Sequence, residues 1–327
     1  MAKKYQDFLD ALGQKESSGD YKAVNRYGYL GKYQFGEAAL IDAGFFKNDG
    51  TSANDWSSKG WTGKMGIASK TAFLNSPAAQ EAAIQALMDK QHTYIKDVLA
   101  YDGQTLNGVT LTLSGMLAGA HLVGWSKLVS FVSGGATGTP PVDGNGTSVV
   151  SYIQKFGGYD TPWPVDHGKA ETLKGGSGQD VLHGFGGDDF LYGKSGHDML
   201  YGDDGRDTLV GGLGQDVMYG GKGADTFRFE ALADSKPGYG IRDAIADFNR
   251  AEGDKIDLSR IDANEKKSGF QNFSASLFLG DAAFHKVAGE WRFQDNVLQA
   301  DVNGDGKADF EILIIGPTTL WASDFIF

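Results

Sequence analysis

The sequence predicts a multidomain α + β protein: a mainly α-helical N-terminal half, then a parallel β-roll and a C-terminal β-sandwich. Apolar residues recur at helical spacing through residues 1–165, and six nine-residue repeats follow one another without a gap over residues 175–228. A length of 327 residues also favours more than one domain. We predict a helical domain over residues 1–162, a linker over 163–174, a β-roll over 175–230 and a C-terminal domain over 231–327.

The helical half is predicted from four segments. Apolar residues fall on one face of a first helix in residues 5–12. Ser76 followed by Pro77 is typical of a helix start, and the apolar pattern continues to about residue 100. Residues 112–132 predict a further helix that breaks near Gly124, and residues 148–156 predict a short closing helix.

The repeats read GGSGQDVLH, GFGGDDFLY, GKSGHDMLY, GDDGRDTLV, GGLGQDVMY and GGKGADTFR. Each has Gly at positions one and four, Asp at six and an apolar residue at eight, which is the pattern of the calcium-binding nonapeptide. Glycine tolerates positive φ and lets the chain turn its carbonyl groups inward. Calcium takes carboxylate and carbonyl oxygens as ligands, so we expect several structural Ca²⁺ ions, roughly four to eight.

The predicted metal ligands are mainly the aspartates at position six of each repeat. Without calcium these stacked carboxylates repel one another, so the segment should then be largely unfolded. Two further repeat aspartates and several aspartates after the repeats are added as candidates, the latter for a capping ion. The candidate metal ligands are Asp180, Asp189, Asp198, Asp207, Asp216 and Asp225, with Asp188, Asp204, Asp247 and Asp257, and also Asp243 and Asp254.

Composition excludes several classes of function. Residues 1–165 hold 14 basic and 14 acidic side chains, whereas residues 166–327 hold 16 and 28, so the second half carries the whole net charge of −12. Such an acidic half disfavours nucleic acid and anionic membranes as partners. The absence of Cys excludes disulfides and thiolate metal sites. We expect a monomer with no membrane span and no N-terminal secretory signal.

The C-terminal half closely resembles the C-terminal domain of serralysin-type secreted proteins over roughly residues 170–327. The resemblance rests on the repeats, on residues 241–248 (IRDAIADF), on residues 301–310 (DVNGDGKADF) and on the final DFIF. It implies a C-terminal signal read by type I secretion machinery, and hence an extracellular protein. The six histidines contain no H-E-x-x-H pair, so the serralysin protease itself is not implied.

Residues 301–306 also resemble the opening of an EF-hand loop, with Asp301, Asn303 and Asp305 before Gly306. The twelfth position of that loop should be Glu, but Ile312 stands there. A hairpin turn or an irregular calcium site is therefore expected instead.

Two stretches of the helical half carry candidate chemistry. Glu16 lies one turn past Leu12, on the apolar side, where the helix should break at SSG (residues 17–19). Partial burial favours the protonated form of a carboxyl group, which suits a general acid. Residues 28–40 (GYLGKYQFGEAAL) offer Gly for close approach, Tyr for stacking and Gln for hydrogen bonding to a sugar.

Together these stretches resemble the lysozyme-like lytic transglycosylase family. Glu16-Ser17 matches the family's E-S-x-G motif, and residues 31–34 (GKYQ) match its G-L-M-Q motif in Gly and Gln. The family's A-Y-N-A-G motif is present only in altered form as residues 119–124 (GAHLVG). The resemblance implies that Glu16 is the catalytic acid. The candidate substrate-binding residues are Ser17, Tyr33, Gln34, Glu37 and His121.

The leading hypothesis is a secreted, calcium-dependent enzyme that cleaves the β-1,4 bond between N-acetylmuramic acid and N-acetylglucosamine in peptidoglycan. Glycosidases normally pair two carboxylates. If none faces Glu16, the substrate closes on itself to a 1,6-anhydro product, the transglycosylase outcome that the resemblance favours. If Glu37 or Asp20 positions water, the enzyme is a muramidase. Alternatives are a glycosidase acting on chitin or another polysaccharide, and a non-catalytic glycan-binding protein or adhesin.

Overall fold

The computed structural model describes residues 4–48, 53–57, 59–163, 165 and 167–327. The chain forms two compact units, which are the described residues of 1–102, 111–130 and 140–164, and those of 103–110, 131–139 and 165–327. Two short segments of the N-terminal half therefore belong to the second unit. Within the predicted linker, Pro164 and Asp166 lie outside the described residues.

The first unit is helical, as predicted. Two 3₁₀ turns, Lys64–Gly66 and Lys96–Tyr101, accompany the α-helices, and the sixth helix runs on into the second unit. The helices are α1 (Tyr5–Ser17), α2 (Glu37–Asp42), α3 (Lys70–Leu74), α4 (Pro77–Tyr94), α5 (Leu113–Val123), α6 (Trp125–Ser133) and α7 (Val149–Phe156).

Helix ends follow local sequence signals. The Ser76 hydroxyl accepts a hydrogen bond from the Ala79 backbone N–H, with Pro77 at the first helical position of α4. Helix α4 ends at Tyr94 and continues as a 3₁₀ turn, so the α-helix is shorter than predicted. Gly124, with φ of 88°, separates α5 from α6 at the predicted break.

Helices α5 and α7 pack closely because small residues of α5 face α7. A Cβ atom at Gly115 would lie 2.6 Å from the carbonyl oxygen of Ile153, so only glycine fits there. Leu117, Ile153 and Phe156 are fully buried around this contact. The packing fixes the position of side chains that α5 and α7 direct toward α1.

The second unit contains two β-sheets. The six-stranded sheet has the order β15-β11-β9-β7-β5-β3, and the nine-stranded sheet has the order β12-β13-β14-β10-β8-β6-β4-β1-β2. The strands are β1 (Thr105–Leu106), β2 (Val109–Thr110), β3 (Thr172–Lys174), β4 (Val181–His183), β5 (Phe190–Gly196), β6 (Met199–Tyr201), β7 (Thr208–Gly214), β8 (Val217–Tyr219), β9 (Thr226–Arg228), β10 (Asp243–Ile245), β11 (Lys255–Asp257), β12 (Glu290–Gln294), β13 (Val297–Asp301), β14 (Phe310–Ile314) and β15 (Phe325–Ile326).

Successive repeats alternate between the two sheets, so two repeats make one coil. Parallel pairing aligns Leu182 with Leu200 and Leu200 with Met218 in one sheet. In the other sheet it aligns Leu191 with Leu209 and Leu209 with Phe227. All six of these position-eight side chains are fully buried. The predicted parallel β-roll is confirmed, with the apolar residues forming its interior.

The C-terminal part is rich in β-structure, as predicted, but its strands extend both sheets of the roll. Strand β10 pairs with β8 and β14, and β11 pairs with β9 and β15. The register continues because Ile245 aligns with Met218, and Ile256 with Phe227, so each apolar side chain joins the same buried row. The roll and the C-terminal strands therefore share one core.

A β-hairpin that the sequence analysis did not predict joins the nine-stranded sheet. Asn107 and Gly108 form its two-residue turn with φ of 46° and 73°, typical of a type I′ turn. Thr105 of β1 pairs antiparallel with Val181 of β4. The first repeat strand is therefore covered by a segment of the N-terminal half.

Candidate active site and calcium centre

In the first unit, the end of α1 brings Glu16 against α7. The Tyr152 hydroxyl donates a hydrogen bond of 2.5 Å to Oε1 of Glu16. Burial, together with the negative charge of Glu16, raises the pKa of Tyr152, so the hydroxyl stays protonated as a donor. The Glu16 side chain is only half-buried, which leaves it accessible to a ligand.

His121 on α5 completes this group. Its Nε2 lies 3.2 Å from the carbonyl oxygen of Tyr33, and because a carbonyl can only accept, Nε2 carries the proton. Burial lowers the pKa of His121, against the opposing effect of the Glu16 charge. The imidazole is therefore neutral near neutral pH, and the structure brings Glu16, His121 and Tyr152 together from three helices.

The turn of residues 31–34 is held through its backbone. The Lys32 N–H donates 2.9 Å to Oε1 of Gln80, and the Lys32 carbonyl accepts 2.8 Å from the Ser17 hydroxyl. Gln34 has φ of 51°, and its side-chain amide donates to the carbonyl of Gly31. Gln34 stays half-exposed, whereas Ser17, expected as a substrate contact, anchors the turn.

A polar cluster lies behind this turn. Nζ of Lys32 lies 2.8 Å from Oδ1 of Asp10 and 2.9 Å from Oε1 of Glu81, and the Tyr33 hydroxyl donates 2.7 Å to Oε2 of Glu81. Burial alone would lower the pKa of Lys32, but these hydrogen bonds raise it above its usual value. Tyr33 is fully buried. Its ring is therefore not available for the stacking on a sugar that the sequence predicts.

The two carboxylates considered as partners of Glu16 serve local structure. Glu37 is buried, and its Oε1 accepts a 2.7 Å hydrogen bond from the Trp56 backbone N–H. This role differs from the substrate contact expected of it. Asp20 is exposed and accepts 2.8 Å from the Lys22 backbone N–H, which closes a turn.

In the second unit, aspartates form two ladders, one along each sheet. Except at Asp180, Oδ1 of each aspartate accepts a backbone N–H from the preceding coil at 2.7–3.1 Å, as when Asp198 accepts from Asp180 and Asp207 from Asp189. The first ladder consists of Asp180, Asp198, Asp216 and Asp243, and the second of Asp189, Asp207, Asp225 and Asp254. Stacking thus places carboxylates of successive coils in rows.

The second carboxylate oxygen, Oδ2, lacks a hydrogen bond in most of these aspartates, within the described part of the chain. Burial raises the pKa of Asp198 to about 8 and that of Asp207 to about 7, and it raises those of Asp216 and Asp225 to about 6. A buried carboxylate oxygen without a partner is costly. Six Oδ2 atoms are buried without a hydrogen-bond partner among the described residues: those of Asp189, Asp198, Asp207, Asp216, Asp225 and Asp243.

These oxygens fit a hard cation. A Cβ atom at Gly184 would lie 2.6 Å from Oδ2 of Asp189 and 2.5 Å from the carbonyl oxygen of Gly202, so the space that glycine leaves is lined by oxygen. Within the part of the chain that the structure describes, no three His, Asp or Glu side chains converge on one point. Backbone carbonyl oxygens such as that of Gly202, which line the same space, are ligands that calcium accepts readily.

The other predicted metal ligands have different partners. Asp188 pairs with Arg206 at 2.7 Å, Asp204 with Lys222 at 2.9 Å and Asp257 with Arg228 at 2.9 Å. The two carboxylate oxygens of Asp247 accept the backbone N–H groups of Gly220 and Gly221. Ion pairs and backbone contacts therefore occupy these four side chains.

The EF-hand-like loop between β13 and β14 is a closed turn. Oδ1 of Asp301 accepts the backbone N–H groups of Gly304 and Asp305, and its Oδ2 accepts that of Gly306. Asp301 is fully buried. The hairpin-turn alternative accounts for these residues.

Two family models match the repeats and the C-terminal part of the chain. Residues 195–327 match the family model described as the peptidase M10 serralysin C terminal, and residues 168–200 match the RTX calcium-binding nonapeptide repeat (4 copies). The chain therefore carries RTX repeats, which bind structural Ca²⁺, and a serralysin-type C-terminal domain. Both modules are features of proteins that type I systems export. No curated protein matches the chain.

Two solved structures are similar to part of the chain. They are the AlgE6R3 and AlgE6R2 subunits of the mannuronan C5-epimerase from Azotobacter vinelandii, at 28% and 29% identity. The matches cover 51% and 48% of this chain, and 82% and 92% of those chains, with TM-scores of 0.25 and 0.34. TM-scores this low do not establish a shared fold. In the described residues no helix is both long and apolar enough to cross a membrane.

Proposed function

We propose that the chain is a secreted, calcium-dependent, glycan-cleaving enzyme whose helical unit is a lysozyme-like lytic transglycosylase. Its substrate is the bond between N-acetylmuramic acid and N-acetylglucosamine in peptidoglycan. The observation that carries the proposal is the environment of the Glu16 carboxyl group, which is half-exposed at the end of α1. It accepts a hydrogen bond from the Tyr152 hydroxyl and lies beside a neutral His121. The motif resemblance around Glu16 and Gln34 supports the substrate class.

Glu16 acts first as an acid. It donates its proton to the glycosidic oxygen while the bond from that oxygen to the anomeric carbon breaks. The resulting carboxylate then accepts a proton from the C6 hydroxyl of the muramyl residue as that oxygen attacks the anomeric carbon. The proton taken up in the second step restores the acid, so one carboxyl group suffices and no water is consumed.

The side chains around Glu16 support this cycle. Tyr152 donates a hydrogen bond to the carboxylate formed after the first step, which stabilises that state. Glu37 and Asp20 accept hydrogen bonds from backbone N–H groups, so we do not propose that either positions a water molecule. Without a positioned water, the C6 hydroxyl of the substrate is the nucleophile and the product is a 1,6-anhydro sugar. Gln34 is proposed as a substrate contact because it remains half-exposed beside the anchored turn.

In the second unit, we assign the calcium ligands to the six aspartates whose Oδ2 atoms have no hydrogen-bond partner among the residues that the structure describes. These are Asp189, Asp198, Asp207, Asp216, Asp225 and Asp243. Bound calcium neutralises the stacked carboxylates and supplies folding free energy to the roll. The module serves export through type I machinery and stability outside the cell, where calcium is plentiful.

The test is release of soluble fragments from purified peptidoglycan and from chitin, with calcium present. We expect wild-type protein to solubilise peptidoglycan and Glu16→Gln to be slower by about 100- to 10,000-fold. Asp160→Asn, at an exposed carboxylate of the same unit, should retain full activity. Activity on chitin alone would replace the substrate class. Equal activity of Glu16→Gln would refute the role of Glu16.

A further inference from the structure

The hairpin of residues 103–110 contacts the first coil of the roll through specific hydrogen bonds. The buried Gln104 side chain donates 2.7 Å to the His183 carbonyl and accepts 2.6 Å from the His183 N–H. One side-chain amide thereby satisfies both backbone groups of a strand residue. Thr105 of β1 also pairs with Val181, which lies in the same strand as His183, β4.

The hairpin also occupies the start of the first aspartate ladder. The backbone N–H of Asn107 donates 2.6 Å to Oδ1 of Asp180, the place that each later aspartate gives to the N–H of the preceding coil. Oδ2 of Asp180 accepts 2.5 Å from the Gly176 N–H. Both oxygens of Asp180 are therefore satisfied by protein, whereas Oδ2 of Asp198 is left without a partner among the described residues.

A second segment, residues 131–139, closes the same end. The Asn107 side-chain amide donates to the Ala136 carbonyl, which ties the segment to the hairpin. A Cβ atom at Gly176 would lie 2.7 Å from the carbonyl oxygen of Gly135, so this segment fits tightly against the first repeat. Leu106 and Val132 are fully buried.

We propose that residues 103–110 and 131–139 form a built-in N-terminal cap of the β-roll, which replaces calcium at Asp180. The backbone N–H groups of Asn107 and Gly176 satisfy the two oxygens of this first carboxylate. At the later aspartates, the cation satisfies Oδ2 instead. Calcium ligation by ladder aspartates accordingly starts at Asp189 and Asp198. The cap also covers the edge of β4 and keeps it from pairing with other chains. This inference is independent of the chemistry proposed for Glu16.

The cap is tested first by calcium stoichiometry in the full-length chain, measured by equilibrium dialysis. Asp180→Asn should bind as many Ca²⁺ ions as wild type, whereas Asp198→Asn should bind at least one fewer. The two substitutions are matched, since both aspartates are buried at position six of a repeat. Loss of the same number of ions in both variants would overturn the proposal.

A second test addresses the hairpin directly. Gln104→Leu keeps the side-chain volume but leaves both His183 backbone groups without their partner. Because the lost free energy is spread over several bound ions, the calcium concentration at half-folding should rise about twofold. Thr110→Val, which removes only an exposed hydroxyl contact to Thr105, is the control and should not shift it. Circular dichroism follows both, and an unchanged midpoint for Gln104→Leu would overturn the cap.

Discussion

The hydroxyl of Tyr152 donates a 2.5 Å hydrogen bond to the carboxylate of Glu16, although 136 positions separate the two residues. Such a bond to a charged acceptor contributes about 1.5–3 kcal/mol, and its loss in the transition state would slow the reaction about 10- to 100-fold. Tyr152→Phe should therefore lower kcat by that factor and leave KM nearly unchanged.

A second tyrosine supplies the control for that measurement. The Tyr94 hydroxyl donates 3.1 Å to Oδ1 of Asp42, another carboxylate of the same unit. Tyr94→Phe should keep wild-type kcat on peptidoglycan. A purely structural role for Tyr152 would instead lower thermal stability and leave kcat of the folded fraction unchanged.

Features of this site that depend on neighbouring residues can be predicted from the sequence, whereas contacts between residues far apart in the chain cannot. Glu16 and Gln34 lie in short motifs with local signals, and both could be singled out. Tyr152 lies on a predicted helix, but no local pattern indicates that its hydroxyl reaches Glu16, because that contact depends on how α7 packs against α5. The burial of Tyr33 and Glu37 is likewise a consequence of tertiary packing.

In the second unit, too, local patterns can be predicted from the sequence and long-range contacts cannot. The repeats predict strand register because every coil repeats one pattern of Gly, Asp and apolar residues. The Asn107-Gly108 pair between Leu106 and Val109 is a typical hairpin signal, although the surrounding residues predict helices. That the hairpin pairs with β4 could not be predicted, since a strand edge accepts many sequences.

The polar cluster under residues 31–34 should support the stability of the helical unit. Glu81→Gln leaves the buried amine of Lys32 with a weaker set of partners. We expect the free energy of unfolding to fall by about 1–3 kcal/mol. Thermal denaturation with calcium present measures it. The exposed Asp97→Asn serves as the control, and equal melting temperatures for the two variants would contradict this role.

The aspartate ladders predict how pH affects the calcium-free roll. Burial raises the pKa of Asp198 to about 8 and that of Asp207 to about 7 in the folded state, against about 3.9 for an unfolded chain. The folded roll then binds more protons than the unfolded chain, so its stability falls as the pH rises from about 4 to 8. In EGTA, circular dichroism should show more β-structure at pH 5 than at pH 8.

Calcium should reverse that trend. Protons and calcium compete for the same carboxylates, so calcium affinity should increase with pH and calcium binding near pH 6 should release protons. Isothermal titration in buffers of different ionisation enthalpy measures the release. Calcium affinity that does not change between pH 5.5 and 8 would contradict the ligand assignment.

The end of the chain is held by an ion pair between Arg250 and Asp324. The guanidinium group makes two hydrogen bonds of 2.7 and 2.6 Å to the carboxylate, which is fully buried. Arg250→Met should lower the stability of the calcium-loaded protein by about 2–4 kcal/mol, since Asp324 loses its counterion while Arg250 itself is partly exposed. Urea unfolding measures the loss.

Arg206→Met is the matched control, because it breaks an ion pair with Asp188 in which both side chains are largely exposed. Its stability should be close to that of wild type. If both variants unfold at the same urea concentration, burial of Asp324 does not contribute as described.

The most direct test of the central claim is mass spectrometry of the soluble products from purified peptidoglycan. The calcium-loaded wild-type protein and Glu16→Gln should be compared, with folding of both verified. A single acid/base carboxylate predicts 1,6-anhydro muropeptides from the wild type and none from Glu16→Gln. Products that end in reducing N-acetylmuramic acid would contradict the one-carboxylate mechanism, and the absence of products from folded wild-type protein would contradict the proposed function itself.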